Sequence, residues 1–415
     1  MGSDLQKNRV SRPSRRAVLA GGGAAMAAMW APGTIRVSFA AGPEDKPLVV
    51  ILLRGGLDSL ALFPPHSDPA YFEMRNTLAL PPPSAPTGMF DLDGGLGLHP
   101  MAAALLPYWT AGNLAIAPAV AGPYDGTVHE EAIGVLDSGL ASYNPDASEG
   151  WVNRAIVATG ATPSEGEASL FSMGNDIPLA MRGAMPAEPW VQDRMVGPAP
   201  GYMVKAGALY QNDPFLMSAQ QAAVGSQEAR YATLGADHRF ANTSGLVPSG
   251  LPLMAGPIAE RLLDPAAPNV AVVEIGGWDT HYGQGAAEGP LARSLAGLAE
   301  GIAVLARALS DRWQDSMILV ASEFGRSVRP NGNGGTDHGG ATAAMALGGG
   351  LAGRVVGNLP SLSQEDLRPD GGVTATLDTR AFLKGALAHH WSIGGSVLNS
   401  RVFPESSSAQ AVGGF

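Results

Sequence analysis

The chain contains no cysteine. That excludes disulfides, thiolate metal sites and cysteine nucleophiles, so any metal must be held by His, Asp, Glu, hydroxyl, carbonyl or water. It also suits a protein that folds in a reducing compartment, where disulfides bring nothing. Positive charge is scarce: 26 Lys and Arg stand against 37 Asp and Glu, a formal net charge of −11. Such a surface repels nucleic acid and anionic membranes, and it does not favour an anionic substrate unless a local site overrides the global field. No internal repeat or block of like charge occurs, and beyond the first forty residues no run is apolar enough to span a membrane.

The N-terminus carries most of what positive patterning there is. Lys7, Arg9, Arg12, Arg15 and Arg16 precede a small and apolar stretch that runs to Ala31, and Ser38-Phe39-Ala40 offers small residues at the two positions a signal peptidase reads. A charged n-region, a short apolar h-region and such a cleavage site define a signal peptide. The paired Arg15-Arg16 points to the twin-arginine route, with the twin-arginine translocase as the partner during export. The alternative, a membrane anchor, suffers from a Gly/Ala-rich run shorter than the roughly 20 strongly apolar residues a spanning helix needs, so stable membrane insertion is not expected. Removing residues 1–40 takes away six basic and one acidic side chain and moves the charge from −11 to −16. The expectation is a periplasmic or secreted protein whose residues 41–415 form a single domain.

Unbroken apolar runs bounded by glycine read as strands buried on both faces. Leu48–Leu53, Leu114–Val120, Val270–Ile275, Met317–Ala321 and Ala344–Leu347 fit that description. Between two of them Leu291, Leu295, Leu298, Ile302, Leu305 and Leu309 recur at alternating steps of four and three, one apolar helix face. Strand, helix and strand then make a parallel crossover unit, right-handed by default. Residues 162–268, rich in Pro, Met, Ala and Gln, lack clear periodicity. They read as a cap-like insertion over one end of the sheet, with a separate small domain as the alternative. The fold class expected is α/β, a mainly parallel sheet flanked by helices.

In such sheets ligands sit beyond the carboxyl ends of the strands. The polar residues found there are Arg54, Asp58 and Ser59 after the first strand, then Thr127, His129 and Glu131 after the second. Asp279, Thr280 and His281 follow the third; Glu323, Arg326, Asp337 and His338 follow the fourth. Asp279 and His281, or Asp337 and His338, can face a shared cation or pair with each other. Either carboxylate can equally be a helix cap or a loop tie. Thr127 is a candidate hydroxyl nucleophile at a helix start, or simply its N-cap. Arg54, at the end of a buried strand, needs an anionic partner: Asp58, Glu323 or a substrate oxyanion.

Taken in order, Leu48 to Ser59, Gly150-Trp151, Gly277-Trp278-Asp279-Thr280-His281, Ser322-Glu323-Phe324-Gly325-Arg326 and Thr336-Asp337-His338-Gly339 resemble the bacterial twin-arginine-exported family catalogued as domain of unknown function 1501. That family is placed with the alkaline phosphatase and sulfatase superfamily, and the resemblance runs from Pro47 to Pro404. It implies an alkaline-phosphatase-like core. The superfamily's first-strand metal-binding Asp is replaced by Arg54, and the His of its Ser-Asp-His-Gly strand end by Phe324. Asp279, His281, Glu323 and His338 resemble surviving ligand positions, with Asp337 beside them. The resemblance thus implies a reduced site holding one divalent metal, zinc, calcium or magnesium, or none.

Two functions follow. One is an exported hydrolase of phosphate or sulfate esters, of small molecules or polymers. In it Thr127 or a metal-activated water attacks, His129 assists, and Arg54 or Arg326 stabilises the oxyanion. The other is a binding or assembly protein that kept the fold and lost the chemistry.

Overall fold

A computed structural model describes residues 35–40, 42–43, 46–93, 95–160, 170–173, 177–185, 188–189, 250–263 and 269–415. Its centre is a nine-stranded sheet. In chain order the strands are β1 (Ile35–Ala40), β2 (Leu48–Leu53), β3 (Leu114–Ala121), β4 (Leu170–Met173), β5 (Glu188–Pro189), β6 (Val270–Ile275), β7 (Met317–Ser322), β8 (Thr342–Leu347) and β9 (Leu377–Asp378). Their order across the sheet is β9–β3–β8–β7–β2–β6–β1–β4–β5. The five apolar runs seen in the sequence are β2, β3, β6, β7 and β8, each buried almost end to end.

β2 pairs in parallel with both β6 and β7, which puts the most apolar strand at the centre. The sheet is mostly parallel, with two strands reversed: β8 runs against β7 and β3, and β1 runs against β6 and β4. Because β8 is reversed, the connection from the end of β7 to the start of β8 stays at one edge of the sheet. Ends of β2, β3, β6 and β7 lie at that same edge.

Helices cover both faces. α4 (Pro290–Leu309) lays the Leu291-to-Leu309 stripe on one face beside α3 (Leu251–Leu263), against Val49, Ile51, Val273, Ile318 and Val320. α2 (Trp151–Ala158) and α5 (Thr379–Trp391) cover the other, packing Trp151, Ile156, Phe382 and Leu387 on Val50, Leu52, Val272 and Leu319. Alternate residues of one strand thus serve two cores, the reason these strands read as continuous apolar runs.

Two observations bear on the expected boundaries. Most of the expected insertion at 162–268 lies outside the described residues; α3 falls within it and packs into the core rather than over the sheet end. It is amphipathic, and Leu251, Ala255, Ile258 and Leu262 belong to the core under α4. The boundary at residue 40 also lies inside structure: β1 pairs with β6 along all six of its residues, from Ile35 opposite Ile275 to Ala40 opposite Val270.

Candidate metal centre

Three imidazoles meet one carboxylate at the edge where the strands end. α1 (His129–Ser138) begins at His129, reached by the loop leaving β3. Asp279 and His281 come from the loop leaving β6, and His338 from the connection between β7 and β8. Asp279 Oδ1 lies 2.9 Å from His338 Nε2, 3.1 Å from His281 Nε2 and 3.7 Å from His129 Nε2. His281 Nε2 and His338 Nε2 are 2.9 Å apart. One ligand atom from each of His129, Asp279 and His338 falls within 4.8 Å of the others, and these three form a group that could hold a metal ion.

The other ring nitrogens explain the convergence. His129 Nδ1 is 3.0 Å from Glu323 Oε1, His281 Nδ1 is 3.1 Å from Asp337 Oδ1, and His338 Nδ1 is 3.0 Å from the Thr127 carbonyl oxygen. Each of those oxygens only accepts when the carboxyls are ionised, so a proton on each Nδ1 is the arrangement that satisfies them, and it turns the Nε2 lone pair inward. Oxygen acceptors behind ligating imidazoles are the usual outer shell of a metal site. Lone pairs facing a carboxylate at such distances demand a cation or a proton between them.

The carboxyls are in the ionised state this requires. Burial opposes ionisation of Glu323, yet the His129 hydrogen bond and the Arg54 charge hold it below its usual range. Asn331 and His281 do the same for Asp337. For Asp279 burial is again outweighed, here by the His129 and His338 rings beside it and by the Arg326 guanidinium, which hold it far below the ordinary carboxyl value. His129 moves the other way: burial disfavours its charge, but the neighbouring Asp279 and Glu323 carboxylates raise its proton affinity.

Close approach of the chain makes the cluster possible. Gly55 and Gly56 turn the chain at the end of β2 with φ of 125° and 83°. A Cβ on Gly55 would stand 2.5 Å from the Asp279 amide nitrogen. The Gly55 amide donates to Glu323 Oε1 at 2.7 Å, so the same turn fixes the carboxylate that holds His129.

Both arginines expected at an oxyanion are engaged by internal partners. Arg326 is buried; Nε donates to Gly56 O, Nη1 to Thr336 O, and Nη2 to Gly55 O, Trp278 O and Asp279 Oδ1. It clamps the Asp279 loop to the β2 turn. Arg54 lies beneath the site rather than in it: its partners are Glu274 Oε1 at 2.7 Å and Asp137 Oδ2 at 2.7 Å, neither Asp58 nor a ligand. Thr127 is not the helix cap either, because Val128 takes that position without a side-chain bond, and what Thr127 supplies is its carbonyl.

Gln284 escaped the sequence reading. Its Oε1 accepts from Thr280 Oγ1 at 2.9 Å and Thr336 Oγ1 at 2.7 Å, and its Nε2 donates to Asp58 Oδ2 at 2.6 Å. Asp58 is in turn held by Arg75 at 2.6 Å. One buried amide therefore joins the two loops that carry Asp279, His281, Asp337 and His338. A polar residue among glycines gives no sign of such a role. The only hint lay in the two threonines, each beside a candidate ligand.

Residues 216–402 match the family described as protein of unknown function DUF1501. No curated protein matches the chain. Among solved structures, one from a study of glycosaminoglycan metabolism by Bacteroides thetaiotaomicron is 8% identical, covering 85% of this chain and 74% of that one, with a TM-score of 0.31. The phosphonate monoester hydrolase of Agrobacterium radiobacter is 10% identical, covering 84% and 74%, also with a TM-score of 0.31. Likeness this slight transfers no activity.

Proposed function

We propose that this chain is an exported, metal-dependent hydrolase with a single divalent cation held by His129, Asp279, His281 and His338. The observation that carries the reading is the fixing of all three Nδ1 atoms by Glu323, Asp337 and Thr127, which aims three Nε2 atoms at Asp279 Oδ1. A donor set of three imidazoles and one carboxylate suits zinc or another transition ion better than calcium or magnesium, which prefer oxygen. When bound, such an ion supplies Lewis acidity toward water or an ester oxygen.

The chain's own residues divide the remaining work. Arg326 and the Gly55-Gly56 turn hold the Asp279 loop, Glu323 orients His129 from the buried side, and Asp337 orients His281 from the open side. His281 is the more exposed of the two, 29% against 17%, so it stands where a substrate enters.

Metal analysis of the purified protein and of a His281→Ala, His338→Ala double variant tests this. We expect about one equivalent of transition metal in the native protein and its loss in the variant. A native protein without metal, and with a stability that chelator leaves unmoved, refutes the site. A second reading, a binding protein without turnover, draws on the commitment of Arg54 and Arg326 to internal partners; stoichiometric metal with no hydrolysis of any ester would favour it.

A further inference from the structure

The charges around the cluster restrict the substrate. Asp279, Glu323 and Asp337 contribute three negative charges in contact with the imidazoles, and Arg326 one positive charge. One divalent cation brings that set only to neutrality. Among the described residues the guanidiniums that approach the cluster already face anionic or carbonyl partners. Arg326 is shared among four carbonyls and Asp279. Arg54 is 2% exposed between Glu274 and Asp137, and Arg75 is spent on Asp58 and the carbonyls of Ser327 and Val328.

A phosphate monoester near neutral pH carries between one and two negative charges, and a sulfate ester one. Entering a site with no uncommitted cation among the described residues, either loses hydration without adequate return. The net negative charge of the whole protein adds to that penalty. An uncharged acyl ester pays no such cost, since it needs only polarisation of its carbonyl.

Two exposed apolar side chains next to the ligands in sequence favour the same class. Tyr282, which follows His281, is 74% exposed, and Val128, which precedes His129, is 53% exposed. Large apolar side chains this open, on the loops that bear the inward-facing imidazoles, offer an apolar resting place for the organic part of a substrate.

Resting on the metal-site reading above, we infer that the site hydrolyses an uncharged carboxylic ester, its organic part lying against Tyr282 and Val128, in preference to a phosphate or sulfate ester. Water adds its oxygen to the carbonyl carbon and the bond from that carbon to the alcohol oxygen breaks. One proton of the water ends on the released alcohol and the other is shed by the carboxylic acid, with no change of oxidation state.

The test uses the full chain reconstituted with zinc. p-Nitrophenyl acetate and butyrate are compared with p-nitrophenyl phosphate and sulfate, each corrected for its spontaneous rate. The acyl esters should turn over with metal dependence while the phosphate and sulfate show none, and inorganic phosphate at millimolar concentration should not inhibit. Tyr282→Ala should raise KM for the butyrate about tenfold with kcat and metal content kept. Zinc-dependent turnover of the phosphate or sulfate, or a zinc-loaded protein that hydrolyses no acyl ester, overturns the substrate class and leaves the metal site standing. A protein that takes up no zinc overturns both.

Discussion

Asp279 has an unusual number of partners for one carboxylate. Arg326 Nη2 lies 2.6 Å from its Oδ1, with the His338 and His281 nitrogens close behind. Burial alone would make it a poor anion; Arg326 and the adjoining imidazoles keep its carboxyl far below the ordinary value. His390 shows the opposite balance. It is buried near the end of α5 with Nε2 3.0 Å from the Pro47 carbonyl, and burial pushes its pKa down to about 4, with that hydrogen bond working weakly the other way. The unfolded chain binds this proton near pH 6.5 and the folded chain does not, so stability present above that pH is lost as it falls toward about 4. The loss is on the order of 3 kcal/mol. His390→Gln, which keeps a donor for Pro47, should flatten this part of the profile in urea melts at pH 7 and pH 5. An unaltered difference between the two pH values would exclude His390 as its source.

Residues of one type were unequally legible. His281 and His338 stand in glycine-bounded loops after apolar runs, so their place at the strand ends can be read from composition. The partners of Arg54 cannot: Glu274 is inside a strand and Asp137 near the end of a helix, 220 and 83 positions away. Sequence adjacency suggested Asp58, which the fold assigns to Arg75 and Gln284 instead.

At the scale of elements, apolar runs locate strands but carry no direction. Both faces of β8 are buried whichever way it points, so its reversal against β7 and β3 was invisible. That reversal matters chemically, because it keeps the whole β7–β8 connection at the ligand edge and brings Asp337 and His338 to Asp279. The connection still needs a fixed distance from the β6 loop. Gln284 supplies it by accepting from Thr280 and Thr336 together, and isolated bridges between Tyr282 and Gly334 and between Arg326 and His338 hold the same loops. Gln284→Ala leaves both hydroxyls and Asp58 short of a partner in a buried place. Removing such a positioning group costs about 10–100-fold in metal affinity. Chelator competition on the full chain should show a loss in that range, larger than the change seen for Thr374→Val, whose hydroxyl bonds the Asp366 carbonyl away from the cluster. Equal affinities for Gln284→Ala and the native protein would mean that the loops keep their spacing without it.

For the whole molecule, folding and compartment belong together. A cysteine-free chain needs no disulfide formed to complete this sheet. The cluster draws on loops after three different strands, so it exists only once the sheet is complete. On the export proposal, a route that carries folded proteins suits it, since a metal seated before export would travel within the fold. Among the described residues no helix is long and apolar enough to cross a membrane. β1 complicates the picture, because Ala40, the last residue of the expected signal, is buried against β6 and β4. Processing after Ala40 must then peel a strand from the sheet, whereas recognition of Arg15 and Arg16 asks nothing of it. The export proposal accordingly stands on the arginine pair: changing both to lysine keeps the charge and removes the paired guanidinium signal. Cell fractionation should then find the protein retained in the cytoplasm, folded and with its metal content unchanged. Undiminished delivery of the lysine variant would remove the twin-arginine assignment, and it would do so without touching the metal site, which depends on the loops alone.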